Sequence, residues 1–184
     1  MTNMNRPSTI TLLPRQPHLT LLLCLVVAVT SCKKDRDNDS SAPSGNAGAI
    51  SSLPVDTLDI AGETFNVELA FTRAGRTRGL MFRRELPPDS GMFFIFDKSR
   101  LRRFYMKNCL IDLDAVFIKA DGEIATVANM AVPVPGRSLR TYPSGTPVKY
   151  VLELPAGTAS RLGLRPGQII TIPPRIQNII PDPD

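Results

Sequence analysis

The stretch DAVFIKADGEIATVANM, residues 114–130, decides the fold because it contains two β-prone runs joined by a tight turn. Asp121 and Gly122 stand between the two runs, and an Asp-Gly pair in this position favours the two-residue turn of a β-hairpin. The stretch therefore predicts a pair of antiparallel strands, and the flanking sequence can be read outward from them.

Toward the N-terminus, the segment TFNVELAF (64–71) alternates strictly between apolar and polar residues, as a half-buried strand does. The preceding DTLDIAGE (56–63) predicts a short strand and a turn at Ala61-Gly62, which together make a second hairpin. Thr72 is a suitable N-cap residue for a short helix in RAGRTRGLMFR. We expect strand, turn, strand and helix in this order.

The other segments give weaker signals. MFFIF (92–96) predicts a buried strand, DKSRLRR a basic loop or hairpin tip, and FYMKN the start of another strand. VPVPGRSLRTYPSGTP predicts a long loop, KYVLELP a strand, AGTASRLG a short helix and QIITIP a last strand. The sum is a small β-rich α+β domain with about seven short strands and two short helices. A partly closed barrel or a curved sheet would protect its strand edges.

The composition of the 184-residue chain divides it into four parts. The apolar run at 19–29 has the length of a signal-peptide core, and Val29 to Cys32 (VTSC) resembles the lipobox of bacterial lipoproteins. We expect a signal peptide at 1–31, a lipid-anchored flexible tether at 32–56, one globular domain at 57–174 and a flexible tail at 175–184. The lipobox resemblance implies acyl chains on Cys32, which anchor the protein to a membrane of the bacterial cell envelope.

Charge and composition exclude several functions. The formal net charge of +5 is modest, and a protein outside the cytoplasm is not expected to bind nucleic acid. The one histidine, His18, lies before the expected cleavage site, so a mature chain has neither a histidine-based triad nor the commonest zinc ligand. We expect no cofactor and no metal. The expected partners are the membrane, through Cys32, and a small anionic ligand or an envelope protein.

Several motifs resemble one family. They are RGLMFR (78–83), LPPDSGMFFIF (86–96), YMKNCLIDLD (105–114) and YVLELPAGTASRLGLRPGQ (150–168). Together they are similar to domain of unknown function 192, a bacterial and archaeal family. The resemblance implies a small β-rich α+β domain, often found behind a signal peptide, and no established activity.

The most distinctive motif of the family is only partly kept. Met106, Lys107, Asn108 and Asp114 match it, whereas Tyr105, Cys109 and Asp112 stand where the family usually has Trp, Thr and Pro. No role for these three residues follows from the resemblance.

Lys107, Asn108 and Asp114 are the main candidates for a ligand-binding site. If FYMKN ends one strand and DAVFI begins the next, their side chains converge at one end of the sheet. They would then form either a structural Lys–Asp pair or a polar pocket for a carboxylate- or amide-bearing ligand. Arg78 could add a bidentate clamp, and Tyr142 could form a pocket wall from the Pro-rich loop.

Three functional hypotheses follow. The favoured one is an accessory module that binds a small ligand or a protein in the cell envelope, without chemistry of its own. The second is a hydrolase or transferase acting on envelope material through Lys107, Asn108 and Asp114. The third is a purely structural envelope protein. Cys109, the one thiol of the expected mature domain, is interpreted as a buried structural residue.

Overall fold

A computed structural model describes residues 53–184, which form one six-stranded mixed sheet with three short helices. In chain order the elements are β1 (Val55–Ile60), β2 (Glu63–Ala70), α1 (Arg73–Arg78), β3 (Ser90–Tyr105), β4 (Leu113–Ile118), β5 (Ile124–Met130), β6 (Thr141–Pro155), α2 (Thr158–Arg161) and α3 (Pro174–Gln177). The strand order is β1-β2-β3-β6-β4-β5. Strands β2 and β3 pair in parallel, and every other neighbouring pair is antiparallel. Within the described range the sheet is open, so the predicted α+β class is confirmed in its curved-sheet form.

Three local predictions are confirmed. The stretch 114–130 forms the β4–β5 hairpin, and residues 55–70 form the β1–β2 hairpin. Gly122 has φ +90°, and a Cβ there would lie 2.4 Å from the carbonyl oxygen of Ile170, so the turn requires glycine. Thr72 caps α1, because its hydroxyl accepts a hydrogen bond of 3.0 Å from the Gly75 amide.

Two predicted loops are strand instead. DKSRLRR lies inside β3, which runs without interruption from Ser90 to Tyr105, and the second half of the predicted loop at 132–147 is the start of β6. The two segments pair with each other, since Phe104 lies opposite Tyr142. Register shifts between Ile95 and Arg100 interrupt this ladder, and such irregularities let a strand carry residues that local propensity places in a loop. Long-range pairing therefore overrides the local signal here.

The predicted last strand is also wrong. In residues 168–173 a single bridge joins Ile169 to Glu123, and the segment otherwise packs through Ile170 and Ile172. With this correction, and because MFFIF and the start of FYMKN belong to the one strand β3, residues 53–184 have six strands in place of about seven. A third short helix, α3, follows, and its Ile176 is fully buried.

The sheet has a different core on each face. One face, which we call the closed face, includes Leu58, Phe65, Phe93, Tyr150 and Leu152, and it is covered by Ala159 from α2 and Ile176 from α3. The other, which we call the cleft face, includes Met92, Phe94, Phe117 and Val151, with Leu80 from the segment after α1. Successive side chains of a strand point to opposite faces, which explains this division.

The signal peptide at 1–31 and the lipidation site Cys32 lie outside the described residues, as does most of the tether at 32–56. Strand β1 begins at Val55, inside the range expected for the tether. In residues 53–184 no helix is long and apolar enough to cross a membrane. Residues 175–184, expected to form a flexible tail, contact the domain through Ile176 and through Asp182 and Asp184.

Candidate functional site

A cleft of about 410 Å³ opens on the cleft face, between α1 and the second half of β3. Six cationic side chains line it, and we call them the cationic rim: Arg73, Arg76, Arg78, Arg102, Arg103 and Lys107. Apolar side chains form much of the remaining lining, among them Leu80, Phe94, Phe96 and Phe104. Two carboxyl groups, those of Asp184 and Glu153, also belong to the lining. Because cations outnumber carboxyls, the cleft favours anions.

The cationic rim comes from three segments of the sequence. Helix α1 carries three arginines, in the sequence RAGRTR. Strand β3 adds Arg102, whose side chain is largely buried, and Arg103, which is exposed. The turn after β3 adds Lys107, which is also exposed. The basic segment that the sequence predicted as a solvated loop thus becomes one wall of the cleft.

Two members of the rim already hold a carboxylate. Arg76 lies 3.2 Å from one carboxylate oxygen of Asp184, and Arg102 forms an ion pair with the other oxygen. Both guanidinium groups lie over the ring of Phe96, at 5.3 Å and 3.8 Å from its centre. The three charged side chains are about nine-tenths buried, so water screens these interactions weakly. This arrangement, which we call the Arg76–Arg102 clamp, is a built carboxylate site.

The segment that ends in Asp184 is tied to α1. The Asp182 carboxylate accepts a hydrogen bond of 2.8 Å from the Arg73 amide. The backbone carbonyl of Asp182 accepts another, of 2.9 Å, from the Arg76 guanidinium. Arg76 also donates to the carbonyls of Phe71 and Ile95, at 2.5 and 3.2 Å. The buried Nε of Arg102, in contrast, has no hydrogen-bond partner among residues 53–184. The clamp therefore retains an unused donor.

Glu153 is the most unusual residue of the cleft. It lies on β6 between Met92 of β3 and Ala115 of β4, and only 6% of it is exposed. No residue in the described part of the chain donates a hydrogen bond to its carboxyl group. Burial raises the pKa of Glu153 to about 8, so this carboxyl is mostly protonated at neutral pH.

Sequence reasoning missed Glu153. The strand KYVLELP was interpreted by its alternation, with Tyr150, Leu152 and Leu154 inward and Glu153 implicitly outward. Strand β6 lies between β3 and β4, however, and its residues 150–154 are all buried, whichever face they point to. The sequence did carry a signal for this burial. The residues on either side of Glu153, in YVLEL, are all apolar, and a continuous apolar run is typical of a strand that is buried on both faces.

Cys109 lies in the same cleft as a protonated thiol. Its Sγ donates to the Lys107 carbonyl over 3.7 Å. Burial, and then the nearby Glu153 carboxylate, raise the pKa of the Cys109 thiol to about 11. A thiol with this pKa is a poor nucleophile at neutral pH. The described residues contain no group of three or more His, Cys, Asp or Glu side chains that could hold a metal ion.

The residues singled out from the sequence lie in different places. Arg78 and Lys107 both line the cleft. The Asn108 side chain contacts the Met81 sulfur at 3.9 Å, and the Asn108 carbonyl accepts a hydrogen bond of 2.8 Å from the Phe82 amide. Asn108 has φ +56°, a conformation that Asn tolerates better than most residues. It therefore shapes the turn beside the cleft.

Asp114 and Tyr142 do not belong to the lining of the cleft. Asp114 is fully buried, and its two oxygens accept hydrogen bonds from the Asn129 side chain at 2.5 Å and the Ala159 amide at 2.8 Å. The Tyr142 hydroxyl accepts a hydrogen bond of 3.3 Å from the Ala131 amide. Ligand binding by any of the residues singled out stays a prediction.

Comparisons with known proteins agree with this fold. A Sinorhizobium meliloti 1021 protein of known structure, provisionally named a transcription regulator, is 41% identical; the match covers 64% of this chain and 90% of that one, with a TM-score of 0.54. A protein of unknown function from Novosphingobium aromaticivorans DSM 12444 is 35% identical over 68% of this chain and 90% of its own, with a TM-score of 0.58. A search of curated proteins gave no match. The model of the DUF192 family, described as "Uncharacterized ACR", matches residues 56–172, and the chain belongs to this family.

Proposed function

We propose that the protein is a lipid-anchored accessory module of the bacterial cell envelope, which binds a small carboxylate-bearing ligand in the cleft. The observation that carries this proposal is the Arg76–Arg102 clamp, which holds the carboxylate of Asp184 over the ring of Phe96. The contacts of the clamp support a ligand with a planar anionic group that lies beside an aromatic face.

The rest of the rim supplies further anion-binding capacity. Arg103 and Lys107 are exposed, and within residues 53–184 neither side chain has a hydrogen bond or an ion pair. A hydrogen bond to a charged group contributes at most about 1.5–3 kcal/mol, so these two side chains add to the affinity that the rest of the cleft supplies. The apolar lining from Phe94 and Phe104 fits a ligand whose anionic group is attached to an apolar body.

The hydrolase or transferase alternative has less support. It needs Lys107, Asn108 and Asp114 at a single site. Lys107 lines the cleft, whereas the carboxylate of Asp114 is enclosed and both of its oxygens accept hydrogen bonds. A general base must reach the proton that it removes, and an enclosed carboxylate cannot do so without opening the fold.

The membrane anchor in this proposal rests on the apolar run at 19–29 and on Cys32. If Cys32 carries acyl chains, cells fed a labelled fatty acid should incorporate the label into the wild-type protein and not into Cys32→Ser. Equal label in both proteins, or none in either, would remove the anchor from the proposal.

Ligand binding can be tested with the full chain in mild detergent. We would measure the melting temperature against acetate, benzoate and inorganic phosphate at constant ionic strength. Benzoate should raise it most, since a ligand that binds only the folded state stabilises that state. The double variant Arg103→Ala/Lys107→Ala should weaken this response, and Arg137→Ala, which removes an exposed arginine from the loop after β5, should not. Equal responses of these two variants would contradict binding in the cleft.

A further inference from the structure

The unpartnered carboxyl of Glu153 calls for a ligand. Buried polar groups in proteins are nearly always hydrogen-bonded, and an unpaired buried carboxyl is costly. Glu153 is more than nine-tenths buried and accepts no hydrogen bond from residues 53–184, yet it lines an open cleft, and its oxygens are not among the fully enclosed unpaired atoms of these residues. Its location in the cleft, rather than in a sealed core, means that a bound molecule can reach it.

The protein itself offers Glu153 little compensation. Its neighbours across the sheet are apolar, Met92 on one side and Ala115 on the other. The charged and titratable groups that share the cleft are the cationic rim, the Cys109 thiol, the Tyr105 phenol and the Asp184 carboxylate. Arg76 and Arg102 pair with Asp184 instead, and Arg73, Arg103 and Lys107 form no ion pair with Glu153. The cleft therefore presents cations at its rim and one unpaired acid in its wall.

We infer that the ligand carries an ammonium group as well as a carboxylate, and that the ammonium group pairs with Glu153 while the cationic rim holds the carboxylate. The ligand class is a small zwitterion such as an amino acid or a short peptide. This inference rests on the proposed function, since it adds a second contact to the same cleft.

Binding of such a ligand is coupled to the loss of a proton. With a pKa of about 8, Glu153 is mostly a neutral carboxylic acid at pH 7. When an ammonium group arrives, the carboxyl ionises, the carboxylate–ammonium pair forms, and the proton leaves to the solvent. An opposite charge at contact distance favours the ionised form, so binding at pH 7 should release close to one proton per ligand.

Three related probes separate the two contacts. Alanyl-alanine carries both charged groups, N-acetyl-alanyl-alanine lacks the ammonium, and alanyl-alanine amide lacks the carboxylate. Titration calorimetry on the full chain at pH 7, in two buffers with different ionisation enthalpies, gives the affinity and the number of protons released. The free dipeptide should bind at least tenfold more tightly than the acetylated one, with release of nearly one proton.

Variants assign the ammonium contact. Glu153→Gln should reduce the preference for the free dipeptide over the acetylated one to less than about twofold, whereas Glu123→Gln, on the β4–β5 hairpin, should leave it unchanged. A tenfold preference corresponds to about 1.4 kcal/mol. If Glu153→Gln does not fold, proton release by the wild type still tests the contact.

The outcomes distinguish this inference from the proposed function. Equal binding of the free and acetylated dipeptides, or no proton release, overturns the role of Glu153 and leaves carboxylate binding in place. Equal binding of the free dipeptide and its amide overturns carboxylate binding itself. No binding of the free dipeptide at about 10 mM, which is tenfold above a weak dissociation constant of about 1 mM, also overturns the zwitterion inference.

Discussion

Asp114 and Glu153 are two buried carboxyls on neighbouring strands, and their surroundings differ completely. Asp114 on β4 points to the closed face, where the Asn129 side chain and the Ala159 amide of α2 donate to its two oxygens. Glu153 on β6 lies opposite Ala115, the residue that follows Asp114 on β4, and its side chain points to the cleft face. There it accepts no hydrogen bond from the described part of the chain.

The difference shows how burial should be interpreted in this domain. On the closed face, α2 covers the sheet and supplies a donor, so a buried carboxylate stabilises the fold. On the cleft face, the space above Glu153 is left open, so the cost of burying the acid is not offset within the chain. The first arrangement is typical of a carboxylate with a structural role, and the second is typical of a carboxyl in a binding site.

Removal of the Asp114 carboxylate should have the largest effect. Asp114→Ala removes two hydrogen bonds to a charged group and leaves the buried Ala159 amide without an acceptor, so we expect the free energy of unfolding to fall by about 3–4 kcal/mol. Urea unfolding followed by circular dichroism measures this loss. Asp114→Asn, which keeps one acceptor oxygen, should lose less. A loss below about 1 kcal/mol for Asp114→Ala would remove the structural role of this carboxylate.

Glu153→Gln should change the pH dependence of stability. Burial raises the pKa of Glu153 from its ordinary value of 4.5 to about 8, so between these values the folded state holds a proton that the unfolded state has lost. The contribution of Glu153 to wild-type stability is therefore greatest below pH 4.5 and falls through this range, by up to about 1.4 kcal/mol per pH unit. The contribution is fully lost above pH 8.

Because glutamine does not titrate, the variant should gain stability relative to the wild type as the pH rises from 5 to 7, by about 2–3 kcal/mol. Urea midpoints of both proteins at each pH give this difference, and Asp121→Asn in the β4–β5 turn serves as an exposed control. Parallel profiles for the wild type and Glu153→Gln would contradict the account of this residue.

Cys109 should react slowly with alkylating reagents. A pKa of about 11, against an ordinary value of 9.0, leaves a thiolate fraction about 100-fold smaller at neutral pH. In a Cys24→Ser/Cys32→Ser background, labelling by iodoacetamide should be slower by about this factor in buffer than in strong denaturant. Equal rates would show an accessible, ionisable thiol.

Lys107→Ala should have the smallest effect on stability. Lys107 is exposed and makes no ion pair among residues 53–184, so the free energy of unfolding should change by less than about 0.5 kcal/mol. Affinity for benzoate should nevertheless fall, whereas Lys149→Ala should leave it unchanged. A large stability loss in Lys107→Ala would show that the lysine is structural and would remove it from the site.

Much of the fold was predictable because local signals agree with the sheet. Alternation in TFNVELAF, the Asp121-Gly122 turn and the Thr72 cap each specify an element through neighbouring residues. The path of β3 through DKSRLRR was not predictable in this way. Its partner is the segment around Tyr142, about forty residues away, and pairing at that distance leaves no local pattern.

The candidate site was predicted less completely. Arg78 and Lys107 were identified from motif and charge, and both line the cleft. Asp114 was identified by its charge in an apolar segment, but a single sequence does not show that Asn129 and Ala159 supply its donors. Glu153 was hidden by an alternation rule that applies to half-exposed strands and fails in β6, where residues 150–154 are all buried.

The most direct measurement is the titration of the Glu153 side-chain carboxyl by ¹³C NMR, with its signal assigned from the spectrum of Glu153→Gln. An unpartnered carboxyl in an apolar wall predicts a pKa near 8, and added alanyl-alanine should lower it because the ammonium group favours the ionised form. A pKa near 4.5 in the free protein would contradict the account. It would mean that Glu153 is either solvated or already paired, and no ligand would then be needed to explain it.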